Sequence, residues 1–180
     1  MLRPNVCGWL WIDSSVEVVP SLVDFVEWYP RERPKLYASL LVFSGSRELA
    51  SDAADEALAR ALQHWRRVRV MDSPEGWTYR VAINIVRRTA QRRRFEARVL
   101  PWLITSAVAP APAGEVWDLV RSLPDRQRMA VVLRYLADLT EPDIATIMGV
   151  SRGTVASTLA DARHSLAELL VESDTAEKPS

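Results

Sequence analysis

The sequence predicts an all-α protein made of two small helical domains joined by a Pro/Ala-rich linker. Three observations carry that prediction. Apolar residues recur at three- and four-residue spacing in successive segments, and the first hundred residues lack the strand–helix alternation of an α/β domain. Residues 101–114, PWLITSAVAPAPAG, have no helical period and are rich in Pro and Ala, as a linker is. The 180 residues, 48% of them hydrophobic, suffice for one ordinary core or two small ones. The expected division is an N-terminal extension at 1–20, a first domain at 21–100, the linker at 101–114, a second domain at 115–171 and a disordered tail at 172–180.

Residues Met1 to Pro20 show neither a clean alternation nor a stripe, although Trp9 and Trp11 fall there. Three readings stay open for them: a disordered leader, an extension packed on the first domain, or residues ahead of the true start codon. From Ser21, Leu22, Phe25, Val26 and Tyr29 share one helix face. Pro34 then suits the first position of a second helix carrying Leu36, Leu40 and Phe43, and Gly45 ends the pair. A further helix, about Arg47 to Trp65, carries the stripe Leu49, Ala53, Ala57, Ala61 and Trp65, with Asp52, Asp55, Glu56 and Arg60 on the opposite side. Taken alone, such a charged face is a hydrated surface.

Asp72 to Gly76 form a turn-rich break, and Ser73 or a neighbour can cap a helix starting near Trp77. On that helix Arg80, Asn84, Arg87, Arg88 and Gln91 fall on one face, with Val81, Ile85 and Thr89 on a neighbouring, packing one. Like charges in adjacent turns repel by tenths of a kcal/mol per pair, so the stripe costs stability unless an anion neutralises it. A phosphate backbone would do so; the competing reading is a solubilising surface. Asn84 has both donor and acceptor for a base edge, whereas the arginines suit phosphates.

After the linker, Val116 to Arg121 opens the second domain. Met129, Val132, Leu133 and Leu136 form one stripe, Ile144, Ile147 and Met148 another, and Val155, Leu159, Ala162 and Leu166 a third. Gly149 suits a left-handed helix stop and Ser151 an N-cap, so the last two helices are joined by a tight turn. The final helix begins with Arg152, Gly153, Thr154, Ala156 and Ser157, short or small residues that leave room for a base edge. An ordinary helical hairpin would not need that leading face, and the unit reads as a DNA-binding helix-turn-helix.

Charge is segregated. The chain carries 23 Lys and Arg against 23 Asp and Glu. Residues 1–76 hold nine basic and eleven acidic residues, 77–100 hold seven Arg against Glu96 alone, and 101–180 hold seven against eleven. A polyanion is drawn first to the middle segment. Cys7 is the single cysteine, so no intrachain disulfide or zinc cluster is expected, and His64 and His164 offer no metal-site spacing. No cofactor is expected. Nor is catalysis, since no histidine-plus-nucleophile constellation or phosphate-cradling glycine loop occurs. The absence of a run of eighteen apolar residues predicts a cytoplasmic protein with no membrane partner.

The stretch LPDRQRMAVVLRYLADLT followed by DIATIMGVSRGTVASTLADAR resembles region 4 of extracytoplasmic-function (ECF) sigma factors of the sigma-70 family, the Leu123-Pro124 lead-in with Gln127-Arg128 and the Arg134-Tyr135 pair being the specific part. SPEGWTYRVAINIVRRTAQRRR resembles regions 2.3 and 2.4 of the same family, in the right order. The resemblance covers about Ser21 to Leu170 and implies an initiation factor that is not itself an enzyme, with core RNA polymerase and promoter DNA as partners and an anti-sigma factor as a further one. It implies that Asn84 reads a base of the minus-ten element while Arg80, Arg87, Arg88, Arg92 and Arg93 hold the backbone. Arg88 departs from the aspartate common in the family. Trp77 and Tyr79 are candidates for stacking on the melted strand. By the same resemblance Asp52, Asp55, Glu56 and Arg60 dock on the polymerase clamp, and Arg152, Thr154, Ser157 and Arg163 meet the minus-thirty-five element. Ala156, Thr158 and Asp161 stand where many members are basic, which implies a weak contact there. Two other readings are a LuxR-like helix-turn-helix regulator and a degenerate sigma-like protein-binding module.

Overall fold

In the computed structural model, which describes residues 20–99 and 115–176, the first helix, α1 (Pro20–Ser44), runs unbroken through Pro30 and Pro34. The expected break at Pro34 is therefore absent. Each proline removes one backbone donor and frees the carbonyl four residues earlier, at Val26 and at Pro30. All three of these residues are exposed, so water satisfies what the helix loses. Val26 is 62% exposed rather than on the packing face; Trp28 takes its place, buried beside Phe25 and 4.9 Å from the ring of Trp65. The side chain of Leu22 lies outside the described residues.

Ser46 caps α2 (Arg47–Gln63) by accepting the Leu49 N–H at 3.2 Å. Ala50, Ala53, Ala54, Ala57 and Ala61 are all 0% exposed, an alanine ridge that lets α1 and α4 approach α2 closely. A short α3 (Trp65–Val68) buries Trp65 and Val68. α4 (Pro74–Val99) starts three residues earlier than expected: Pro74 sits in its first turn and Ser73 Oγ accepts the Gly76 N–H at 2.9 Å. Trp28 Nε1 donates to Glu75 Oε1 at 2.8 Å and ties α1 to that turn. Burial of Leu36, Leu40 and Leu58 stabilises this module by about 1.5–3 kcal/mol each.

The second module comprises α5 (Glu115–Ser122), α6 (Asp125–Val131), a wider π-helical turn at Val132–Leu136, α7 (Glu141–Met148) and α8 (Arg152–Ala176). Asp138, at φ 55, ends the π-helical turn in the left-handed region, and Leu139 N–H reaches back to Leu133 O at 3.0 Å. Thr140 caps α7, accepting the Asp143 N–H. α8 continues to Ala176, so residues 172–176, expected in the disordered tail, are helical; 177–180 lie outside the described residues. So do residues 1–19 of the extension and the whole 101–114 linker.

The two modules touch. α7 packs on α4, and the π-helical turn packs on α1, so one cluster of buried side chains runs through both. No helix among the described residues is long and apolar enough to cross a membrane.

Candidate nucleic-acid interface

The orientation of α4 follows from what it buries. Tyr79, Ala82, Ile83 and Val86 recur at helical spacing and face the core; Val81 and Ile85, expected to pack, are only half-buried. At roughly 100° per residue, that buried arc turns Arg80, Asn84 and Arg88 outward together, and all three are exposed. Gln91 and Arg92 are exposed further along. Arg93 extends toward α2, its Nη2 3.9 Å from Glu48 Oε2. Arg87 is half-buried, with Nη2 3.4 Å from Met129 Sδ of the second module.

Tyr79 is not available for stacking. It is 1% exposed and its hydroxyl lies 3.3 Å from Ser39 Oγ. Burial pushes its pKa above the usual phenol range; the Ser39 hydrogen bond counters part of that rise, and the Glu32 and Glu75 carboxylates add to it. A side chain so enclosed serves packing, which overturns its candidacy. Trp77 is half-buried, its ring edge-on to His64 at 6.5 Å.

On α2 the alanine ridge leaves Asp52, Asp55, Glu56 and Arg60 exposed on one side. Arg33 of α1 donates to both Asp55 carboxylate oxygens, at 3.0 and 3.3 Å, and Arg60 Nε donates to Glu56 Oε1 at 2.7 Å. Such exposed pairs contribute about 0–1 kcal/mol each and can be exchanged for a partner's charges at little cost.

In the helix-turn-helix, Gly149 adopts φ 70 as the left-handed stop of α7, and Ser151 Oγ accepts the Thr154 N–H at 3.1 Å to cap α8. Val155, Leu159 and Ala162 are buried, so Arg152, Gly153, Thr154, Ala156 and Ser157 face solvent. Ser157 Oγ and Thr158 Oγ1 donate back to Thr154 O at 3.1 and 2.7 Å, which leaves their lone pairs as acceptors. Arg163 is exposed two to three turns further along α8, in a position suited to a backbone phosphate, and His164 beside it lies 3.2 Å from Glu168. The Arg134-Tyr135 pair divides its work: Arg134 Nη1 donates to Leu139 O at 3.0 Å and braces the entry to α7, while Tyr135 is 58% exposed.

Sequence reasoning assigned Gly76 only to a turn. In the fold it lies beneath α7: a Cβ built on it would stand 3.0 Å from Asp143 Oδ1. Nothing local signals that, because the neighbour comes from the other module.

A family model described as Sigma-70 region 2 matches residues 28–96, and one described as Sigma-70, region 4 matches residues 113–166. The RNA polymerase sigma-E factor of Streptomyces coelicolor is 30% identical over 135 residues, 69% of this chain and 73% of that protein. The ECF RNA polymerase sigma factor EcfG of Rhodopseudomonas palustris is 26% identical over 144 residues, 76% of this chain and 80% of that protein. Among solved structures, the sigma factor RpoE of Bartonella quintana, in complex with the anti-sigma factor NepR, is similar in fold with a TM-score of 0.70 at 23% identity, over 82% of this chain and 96% of that one. CnrH, in complex with the cytosolic domain of CnrY, has a TM-score of 0.55 at 21% identity, over 82% and 88% of the two chains.

Proposed function

The chain belongs to the ECF group of the sigma-70 family, and from that premise we propose how its surfaces divide the work of directing core RNA polymerase to promoters. The outward arc of α4 meets the minus-ten element, with Asn84 reading a base and Arg80, Arg87, Arg88, Arg92 and Arg93 holding the backbone. The start of α8 meets the minus-thirty-five element through Arg152, Thr154 and Ser157, with Arg163 on a phosphate. Asp52, Asp55, Glu56 and Arg60 form the surface for core polymerase. The domain boundaries follow the same scheme, residues 21–100 for one task and 115–171 for the other. The protein acts by binding, without catalytic chemistry of its own, alongside polymerase in the cytoplasm. A regulatory anti-sigma partner is supported by the RpoE and CnrH folds, whose structures were solved with NepR and with CnrY.

The observation that carries this reading is the exposed Arg80–Asn84–Arg88 arc inside the segment that matches region 2. A LuxR-like regulator would not contain that segment. The test is to sequence transcripts made by core polymerase with and without the purified protein. New, position-specific start sites are expected. Stable co-purification with core but no new start would instead establish a protein-binding module, and absence of both would defeat the reading altogether.

A further inference from the structure

We propose that the groove between α4 and the start of α6 is a binding site for a free fatty acid, which lays its chain on an apolar floor and its carboxylate against the arginines of the rim. The groove measures ≈ 610 Å³. Pockets of about 300–1,000 Å³ are those that take small organic ligands. Its floor comes from both modules, Phe43, Leu49 and Val86 from the first and Met129, Met148 and Val150 from the second. Phe43, Met148 and Val150 are only half-buried, so part of their apolar surface is left to the groove instead of being used in packing. Met129 and Met148 are unbranched thioethers, side chains that conform to an irregular neighbour. Such a floor suits an acyl chain, which has no fixed shape, better than a rigid ring.

The rim sets the charge of the head group. Arg87, Arg126 and Arg128 line it against a single carboxylate, Asp125, which already accepts from Arg128 Nη2. Two of these guanidinium groups have poorly used donors. Arg87 Nη2 meets Met129 Sδ at 3.4 Å, a weak acceptor for a cation. Arg128 Nε is buried with no hydrogen-bond partner in the folded chain. A buried donor left unpaired costs stability, the more so on a charged group, and a carboxylate presents two oxygens to which guanidinium groups donate in pairs. A cationic or neutral head would gain nothing comparable there. The consequence for transcription rests on the sigma-factor reading above: Arg87 is one of the cations assigned to the minus-ten backbone, and a carboxylate seated on it withdraws it from DNA.

Binding is tested on the full-length chain alone, with neither polymerase nor DNA, so that its failure leaves the sigma-factor reading untouched. The chain has four methionines, Met1, Met71, Met129 and Met148, and the last two lie on the floor of the groove. In protein labelled with ¹³C-methyl methionine, dodecanoate below its micelle concentration is expected to shift the Met129 and Met148 signals saturably and to leave the exposed Met71 in place. Decanoate is expected to bind about tenfold more weakly, since each methylene contributes up to about fourfold. Acetate, the head without the chain, and dodecyltrimethylammonium, the same chain on a cation, are each expected to bind at least about tenfold more weakly than dodecanoate. Arg126→Glu, at an exposed position, is expected to weaken dodecanoate by about tenfold as well. Unmoved Met129 and Met148, equal shifts at all the methionines, or equal affinity for the cationic amphiphile overturns the proposal. In transcription with core polymerase, saturating dodecanoate is expected to lower the output of the unmodified protein by about fivefold and that of Arg126→Glu by less than about twofold. Equal loss in the two overturns the consequence for transcription. If the unmodified protein directs no transcription on any template, the sigma-factor reading has failed, and the fatty-acid site is decided by the methionine signals alone.

Discussion

Asn84 sits at the middle of the outward arc of α4, with Arg80 one turn before it and Arg88 one turn after. Being exposed and outside the core, it can be changed without disturbing the fold. Asn84→Ala is expected to relax base preference in the minus-ten element by about 1–3 kcal/mol per lost contact, read by competitive transcription from templates differing at single positions. Unchanged preference would remove Asn84 from the reading role. Tyr79 makes a contrasting case on the same helix. Its folded pKa is raised, so its contribution to stability is complete below the unfolded value of about 10 and is lost as pH climbs toward the folded value. Tyr79→Phe should therefore flatten the alkaline limb of the stability profile in denaturant titrations, while losing the hydrogen bond to Ser39 at neutral pH.

At the scale of elements, α2 depends on having almost no side chain where it meets its neighbours. Ala57→Leu is expected to destabilise the protein by about 1–3 kcal/mol in urea unfolding, because three added heavy atoms have no space on a face that is 0% exposed. That face was legible in the sequence, since alanines at helical spacing opposite Asp52, Asp55 and Glu56 admit one orientation. The helix-turn-helix was legible for a similar reason: Gly149 and Ser151 perform the local chemistry their residue types advertise. Other elements were not. Pro34 reads as a helix start because proline costs a hydrogen bond in a helix interior, but that cost falls when the freed carbonyl faces water. On α4, Val81 and Ile85 drew the packing face toward themselves. The Tyr79 hydroxyl and the Thr78 hydroxyl, which donates to Pro74 O at 2.9 Å, are satisfied internally, and so two polar-looking residues could be buried instead. The polar run at 172–176 is helical because nothing in it stops a helix already under way.

For the molecule as a whole, zero net charge conceals an uneven distribution that shapes its behaviour in salt. The start of α8 carries few cations, so on the proposed reading the arginines of α4 would supply most counterion release. Replacing Arg92 and Arg93 together by Ala is expected to weaken binding to all promoter sequences alike and to reduce the slope of log affinity against log salt by at most about 2. A variant that instead altered sequence preference would place those side chains on bases. The contact between modules could not be read beforehand, because Met129, Val132 and Leu133 already had an explanation as the inner stripe of their own module. A stripe wide enough to serve two neighbours looks the same as one serving a single neighbour. The π-helical turn at Val132–Leu136 has a consequence at this scale as well. It accommodates one surplus residue relative to regular pitch, so deleting one residue there would restore ordinary α-helical pitch and leave the downstream elements close to their present orientation, whereas a deletion in the regular turns of α6 would rotate them by roughly 100° about the helix axis. The wider turn is thus a tolerance joint: the loss of a single codon is absorbed where the helix already carries slack, and the aim of α7 and α8 is kept.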